Sequence, residues 1–125
     1  MKSINPTRTQ SWKALENHYD AIKKVHLNTW FREDSGRKDT FTVNEGAFEF
    51  DFSKNRITQK TLKLLVDLAN EIGLKDAITD YFSGVKINET ENRAVLHTAL
   101  RDQGSEAISV DGINVKPEIL SLIHI

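Results

Sequence analysis

The four histidines are the residues of this chain best suited to acid or base chemistry near neutral pH. His18 falls within an amphipathic stretch, His26 lies near the end of that stretch, and His124 is one of the last two residues. Lone histidines in such positions are usually surface or helix-end residues. We therefore predict no catalytic role for these three.

His97 is the stronger candidate for an acid or base. It follows Arg93 by four residues in a segment with helical spacing, and Glu91 and Glu89 come one or two turns earlier. One interpretation is an acid or base oriented by carboxylates. The other is a charge network on a helix surface, or a buried histidine with hydrogen-bond partners, and we favour this structural interpretation.

Two basic residues in the stretch Lys54-Asn55-Arg56 could bind a phosphate, but a junction of this kind is more often only solvated. The chain has no phosphate-binding glycine loop, no His-Glu-x-x-His pair and no calcium loop. It also has no cysteine, which excludes disulfides, thiolate zinc sites and a cysteine nucleophile. The sequence thus predicts no catalytic, cofactor-binding or metal-binding residue, and no cofactor.

Composition also limits the partners of this chain. Its 125 residues are enough for one domain, and 17 Lys and Arg against 18 Asp and Glu leave no strong field for nucleic acid or acidic lipid. No run approaches the roughly 20 apolar residues of a membrane span. The start, residues 1–12, does not resemble a secretory signal. We expect a cytoplasmic protein with no nucleic-acid partner and no membrane partner.

The elements in the first half follow from hydrophobic spacing. Trp12, Leu15, Tyr19 and Ile22 recur every three or four residues and predict a helix. A short apolar cluster around Trp30 comes next, and the polar run 32–39 predicts a loop.

A β-hairpin is predicted after this loop. Its first strand begins at Phe41, its turn is Asn44-Glu45-Gly46, and its second strand carries Phe48, Phe50 and Phe52 on one face. An alternation this regular more often marks a core face than a contact surface.

The second half is predicted to hold more helices and another hairpin. Thr58 caps a helix that Gly73 ends, and Gly84 ends the next one. A third helix is predicted over residues 90–100, with Thr90 or Asn88 as its cap. Asp111-Gly112 predicts a tight hairpin, after which Pro117 suits the first turn of a helix. The predicted class is α/β, with mixed helices and two short β-hairpins.

Several blocks of sequence resemble the phosphoglucose isomerase family. The longest is Phe82-Ser83-Gly84-Val85-Lys86-Ile87-Asn88 followed by Thr90-Glu91-Asn92-Arg93-Ala94-Val95-Leu96-His97. Asp51-Phe52-Ser53-Lys54-Asn55 upstream and Val115-Lys116-Pro117-Glu118 downstream are similar to further family motifs. Phe52 stands where tyrosine is usual and Val85 where glutamate is usual. The resemblance implies that residues 1–119 form an amino-terminal family segment and that 120–125 are an atypical tail at a truncation point.

The resemblance also implies an activity. Family members interconvert glucose 6-phosphate and fructose 6-phosphate in glycolysis and gluconeogenesis, as homodimers of two doubly wound α/β domains. They use a glutamate, a histidine and a lysine, with a Ser/Thr-rich phosphate loop and no cofactor. None of these groups maps onto this chain, and His97 does not correspond to the family's catalytic histidine. We therefore expect the isolated chain to be inactive, and loosely packed or associating.

Two other classes of protein stay open. One is a standalone binding module whose contact face is the aromatic strand with Phe48, Phe50 and Phe52. The other is a fusion of a transaldolase with the isomerase, which the start at Met1 disfavours.

Overall fold

The computed structural model describes residues 4–102 and 104–123. The chain divides into two compact units. The first unit is Asn5–Glu71, and the second includes residues 72–123. His124, which we predicted to be a surface histidine, lies outside the described residues, as does the end of the 120–125 tail.

The first unit is built on two paired helices and a hairpin. After a short 3₁₀ helix, Pro6–Arg8, its elements are α1 (Gln10–Ile22), α2 (Leu27–Glu33), α3 (Arg37–Thr40), β1 (Thr42–Glu45), β2 (Phe48–Asp51) and α4 (Gln59–Glu71). Helices α1 and α4 pack against each other. Thr9 caps α1 by accepting a hydrogen bond from the Trp12 amide, and Thr58 accepts one from the Thr61 amide at the start of α4.

The second unit holds α5 (Leu74–Phe82), β3 (Ser109–Val110), β4 (Ile113–Asn114) and α6 (Lys116–Ile123). Its turns behave as predicted. Gly73 and Gly84 take positive φ values of 71° and 79° at helix ends, and Asp111 and Gly112 take φ values of 52° and 79° between β3 and β4. Pro117 lies in the first turn of α6.

The helix predicted over residues 90–100 is wrong. Asn88 and Arg93 instead form an isolated antiparallel bridge, each accepting a hydrogen bond from the other's amide at 3.1 Å. The Asn88 side chain accepts a bond from the Glu91 amide, and Asn92 has a φ of 52°. Asn competes for backbone groups in this way, so the segment closes a tight loop rather than starting a helix.

The predicted loop over residues 32–39 is also wrong in part. Helix α2 runs through Arg32 to Glu33, and a single helical turn, α3, begins at Arg37. The run is polar in composition, but the Arg37 side chain is buried. Its guanidinium donates hydrogen bonds to three backbone carbonyls, which hold this turn in place.

The first hairpin is confirmed, with Val43 opposite Phe50 and Glu45 opposite Phe48. Its bounds differ from the prediction, because Asn44 and Glu45 belong to β1 and the turn is Gly46-Ala47. Its aromatic face is not a core face within this unit. Phe48 and Phe50 are 69% and 55% exposed and stack on each other with ring centroids 6.0 Å apart. Phe52 lies beyond the strand and packs edge-on against the buried Phe41.

Few side chains of the described residues are fully buried. The buried apolar ones are Phe41 and Ala99, whereas five buried residues are polar or charged: Thr9, His18, Arg37, Ser53 and Lys116. Buried polar groups of this kind are stable only when they are hydrogen-bonded. Among the described residues, no helix is both long enough and apolar enough to cross a membrane.

Candidate functional site

His18 has a structural position, and the prediction of a surface histidine there is wrong. Helix α1 directs the side chain toward the start of α4, where Nε2 lies 2.8 Å from Thr61 Oγ1 and 3.2 Å from Thr58 Oγ1. The residue is 8% exposed. This contact joins the two main helices of the first unit and leaves the ring away from solvent. His26 is exposed at the start of α2, as predicted.

His97 lies in a turn and not on a helix, so the predicted alignment with Arg93 is wrong. The Arg93 backbone is paired with Asn88, and the Glu91 carboxylate accepts a hydrogen bond from Asn88 Nδ2 at 3.2 Å. His97 is exposed, which also contradicts the buried, hydrogen-bonded alternative. No carboxylate of the described residues is hydrogen-bonded to its ring. The oriented acid or base is therefore not formed.

An open groove of about 810 Å³ in the second unit includes His97, Ser83, Arg101 and Asp102 in its lining. Asp102 is already engaged, because Lys116 Nζ donates a hydrogen bond to its Oδ2 at 2.7 Å. This bond, together with the Gly104 amide, holds the pKa of Asp102 below its usual range. The carboxylate is thus fixed as an ion-pair partner and is poorly suited to proton transfer at neutral pH.

The buried Lys116 organises the loop that precedes the second hairpin. Besides Asp102, its ammonium donates hydrogen bonds to the carbonyl oxygens of Gly104 and, at 3.2 Å, Glu106. All three donors of the lysine therefore have acceptors on one short segment. This arrangement stabilises the loop and leaves no free ammonium for a ligand.

Arg37 is, like Lys116, a buried charge that sequence reasoning missed. Its Nε donates to the Ser53 carbonyl at 2.8 Å, and its Nη2 donates to the carbonyls of Asn55 and Ile57 at 3.0 and 2.9 Å. The guanidinium also lies 4.4 Å from the centre of the Phe41 ring. One side chain thus fixes the whole connection between β2 and α4.

That connection carries the Lys54-Asn55-Arg56 stretch, and the structure brings it to the end of α1. Arg56 Nη2 donates to the carbonyls of Lys23 and Val25 at 2.6 and 2.9 Å, so Arg56 is not merely solvated as we had favoured. A concavity of about 450 Å³ forms here. We call it the basic concavity, and its lining consists of Lys23, Lys24, Val25, His26, Leu27, Lys54 and Arg56.

The described residues contain no group of three or more His, Cys, Asp or Glu side chains arranged to hold a metal ion. Nor do they contain a hydroxyl nucleophile paired with a free histidine, since the one histidine with hydroxyl partners, His18, is buried between helices. The geometry that these residues provide serves packing and loop closure.

Comparison with known proteins gives the affiliation of the chain. Residues 51–124 match the family model described as phosphoglucose isomerase. The chain belongs to the phosphoglucose isomerase family. The match begins in β2 and includes the Asn88–Arg93 loop, the second hairpin and α6.

Two curated relatives cover almost all of this family member. A protein of Christiangramia forsetii named glucose-6-phosphate isomerase is 52% identical over 119 residues, which are 95% of this chain and 22% of that protein. A protein of the same name from Wigglesworthia glossinidia brevipalpis is 46% identical over 125 residues, 99% of this chain and 23% of that protein. The chain therefore spans less than a quarter of the length of these relatives.

Proposed function

We propose that this chain is the amino-terminal segment of a glucose-6-phosphate isomerase. The observation that carries the proposal is the 52% identity to the Christiangramia forsetii protein of that name, over 95% of the chain. The parent enzyme would interconvert glucose 6-phosphate and fructose 6-phosphate in glycolysis and gluconeogenesis. We further propose a cytoplasmic homodimer with two doubly wound α/β domains, in which residues 1–119 are the family segment and 120–125 an atypical tail.

The reaction moves a proton between adjacent sugar carbons, which requires an acid or base held against the substrate. We place those groups, and the groups that bind the sugar phosphate, in the part of such an enzyme that this chain does not span. The role of this segment is then structural. Its histidines support that assignment, because His18 is buried between two helices and His97 has no carboxylate to orient it.

The assignment predicts that the 125-residue chain does not isomerise glucose 6-phosphate. The purified chain is given fructose 6-phosphate, and any glucose 6-phosphate that forms is detected with glucose 6-phosphate dehydrogenase. A mock preparation and a His97→Ala variant are assayed beside it. We expect the natural chain, the variant and the mock preparation to give the same rate. Activity in the natural chain that disappears in the variant would show that His97 is catalytic and overturn the structural role.

A standalone binding module is the second candidate, and one observation favours it. Phe48 and Phe50 expose more than half of their surface on the hairpin, where a partner protein could pack against them. The same exposure is expected if the rest of an isomerase covers this face. A monomeric chain with a cooperative thermal transition and well-dispersed amide spectra would favour the module.

A further inference from the structure

We propose that the basic concavity binds a small phosphate-bearing anion, either inorganic or attached to a small organic molecule. The proposal concerns the first unit alone and does not rest on the isomerase assignment. It starts from the five basic side chains that line the concavity: Lys23, Lys24, His26, Lys54 and Arg56.

The charged side chains that line the concavity are all basic, although Asp51 lies close enough to Lys54 for that lysine to help lower its pKa. None of the seven described residues that line it is acidic, although the whole chain has a net charge of -1. Asp20 compensates one of the cations, because it forms an ion pair with Lys23 Nζ at 2.7 Å. Lys24, Lys54 and Arg56 form no ion pair with any described residue. A recess with cations on several sides focuses a positive potential, which favours an anion.

Arg56 is held in place before any ligand arrives. Both of its hydrogen bonds, to the carbonyls of Lys23 and Val25, use Nη2. Its Nε and Nη1 make no hydrogen bond within the described residues, so these groups remain able to donate. Each can give a single charge-assisted hydrogen bond to a phosphate oxygen. Because the side chain is already ordered, binding would cost little of its rotamer freedom.

The backbone acceptors at this site do not cancel its charge. The end of α1 places carbonyl oxygens beside the concavity, and these carry partial negative charge. Two carbonyls of this turn, those of Lys23 and Val25, accept hydrogen bonds from Arg56, so a cation already faces them. The ammonium groups of Lys24 and Lys54, which also line the concavity, remain available to attract the anion.

The size of the concavity favours a small ligand over a polymer. Its volume of about 450 Å³ lies within the range of small-molecule sites. Binding of nucleic acid generally needs a basic stripe across a strongly basic domain. This chain has 17 Lys and Arg against 18 Asp and Glu, so no such stripe is expected.

The test uses inorganic pyrophosphate as the probe on the 125-residue chain. Calorimetry measures its affinity for the natural chain, for Lys24→Gln/Lys54→Gln, and for the control Lys13→Gln/Lys63→Gln, which removes two exposed charges elsewhere in the first unit. We expect at least a tenfold loss of affinity in the first variant and less than a twofold change in the control. Equal losses in both variants would show only nonspecific attraction and overturn the proposal.

A second measurement locates the ligand even where a variant folds poorly. Lysines of the natural chain are acylated with and without pyrophosphate, and the modified positions are found by mass spectrometry. We expect protection of Lys24 and Lys54, with Lys13 and Lys63 unprotected. Uniform protection, or none, would contradict the site.

Further probes separate the sources of the phosphate. Saturable binding of orthophosphate and pyrophosphate, together with no binding of ribose 5-phosphate, would indicate an inorganic ligand. Binding of ribose 5-phosphate at least as tight as that of orthophosphate, with no binding of ribose, would indicate an organic phosphate. Either result supports the proposal. Tighter binding of a single-stranded oligonucleotide than of any small phosphate would replace it with a nucleic-acid surface.

Discussion

Arg37 donates its Nε–H to the carbonyl oxygen of Ser53 at 2.8 Å, across sixteen residues of sequence. Both residues are almost completely buried, with 3% and 2% exposure. An arginine side chain thus supplements the backbone hydrogen bonds of the segment after β2. This relationship sets the position of Lys54 and Arg56, and therefore the shape of the basic concavity.

Replacing Arg37 should destabilise the first unit strongly. Arg37→Ala removes a donor from three carbonyls, of which that of Asn55 keeps a hydrogen bond from the Ile57 amide. A buried acceptor left without a partner costs about 1 to 3 kcal/mol. We expect a loss of at least about 3 kcal/mol in the free energy of unfolding, measured with urea. Arg37→Lys should recover little of this, because an ammonium cannot span the three acceptors as a guanidinium does.

Lys38→Ala is the matched control for the Arg37 variants. Its side chain is exposed and forms an ion pair with Glu49 at 3.5 Å, which is worth less than about 1 kcal/mol. A loss of similar size in Lys38→Ala and Arg37→Ala would contradict the anchoring role of Arg37.

Gly84 should not tolerate a side chain. A Cβ atom there would lie 2.7 Å from the Ser109 carbonyl oxygen, and the φ of 79° already disfavours any other residue. Gly46 also has a positive φ, of 57°, but nothing lies within 4 Å of its Cβ position. We expect Gly84→Ala to reduce the free energy of unfolding by at least about 1 kcal/mol more than Gly46→Ala. Equal effects would show that Gly84 and Ser109 are not in close contact.

Glu71 should make stability depend on pH below neutrality. Hydrogen bonds from the Ser11 side chain and from the amides of Ser11 and Gln10 hold its pKa below the usual range. These amides, at 2.9 and 3.0 Å from the carboxylate, belong to the first turn of α1. Because the pKa is lower in the folded chain, the stabilisation is complete above the unfolded pKa of about 4.3 and is lost as the pH falls through the folded pKa.

Glu71→Gln removes the charge and should remove this part of the pH dependence. We expect a lower midpoint of urea unfolding than in the natural chain at pH 7, with the two midpoints converging below about pH 4. Glu33→Gln, at the exposed end of α2, is the control. Its unfolding midpoint should stay close to that of the natural chain at every pH. A gap between Glu71→Gln and the natural chain that stays constant down to pH 2 would refute the linkage.

The exposed apolar surface should make the isolated chain associate. Each large side chain left in water forgoes about 1.5 to 3 kcal/mol of burial, and a domain's margin is only about 5 to 15 kcal/mol. Phe48→Ser/Phe50→Ser should lower both dye binding and the sedimentation coefficient at high concentration. Tyr19→Ser, which removes an aromatic ring that is 63% exposed away from the hairpin, should change them less. A monomer that binds no dye would contradict this.

Signals confined to a few neighbouring residues predicted the structure well. Thr58 precedes the start of α4, Gly73 follows its end, and Asp111-Gly112 forms the turn of the second hairpin. These signals succeeded because they depend on local backbone preferences. The helix predicted over residues 90–100 failed for a related reason. Apolar spacing suggested it, but the Asn88 side chain and the bridge to Arg93 compete for the same backbone groups.

Contacts between distant residues could not be predicted. His18 meets Thr61 across 43 positions, and Arg56 donates to the Lys23 carbonyl at the end of α1 across 33 positions. A histidine or an arginine on an otherwise polar stretch gives no periodic signal of burial. The family resemblance, by contrast, depended on runs of sequence and needed no tertiary contact.

The most direct test of the account is a chimeric enzyme. The 119 matching residues of the Christiangramia forsetii protein are replaced by the corresponding residues of this chain, and isomerisation of glucose 6-phosphate by the purified protein is measured. We expect kcat within about tenfold of the unmodified protein, since a tenfold change corresponds to only about 1.4 kcal/mol. A chimera that folds and assembles like the unmodified protein but has no isomerase activity would contradict the assignment of this chain to a glucose-6-phosphate isomerase.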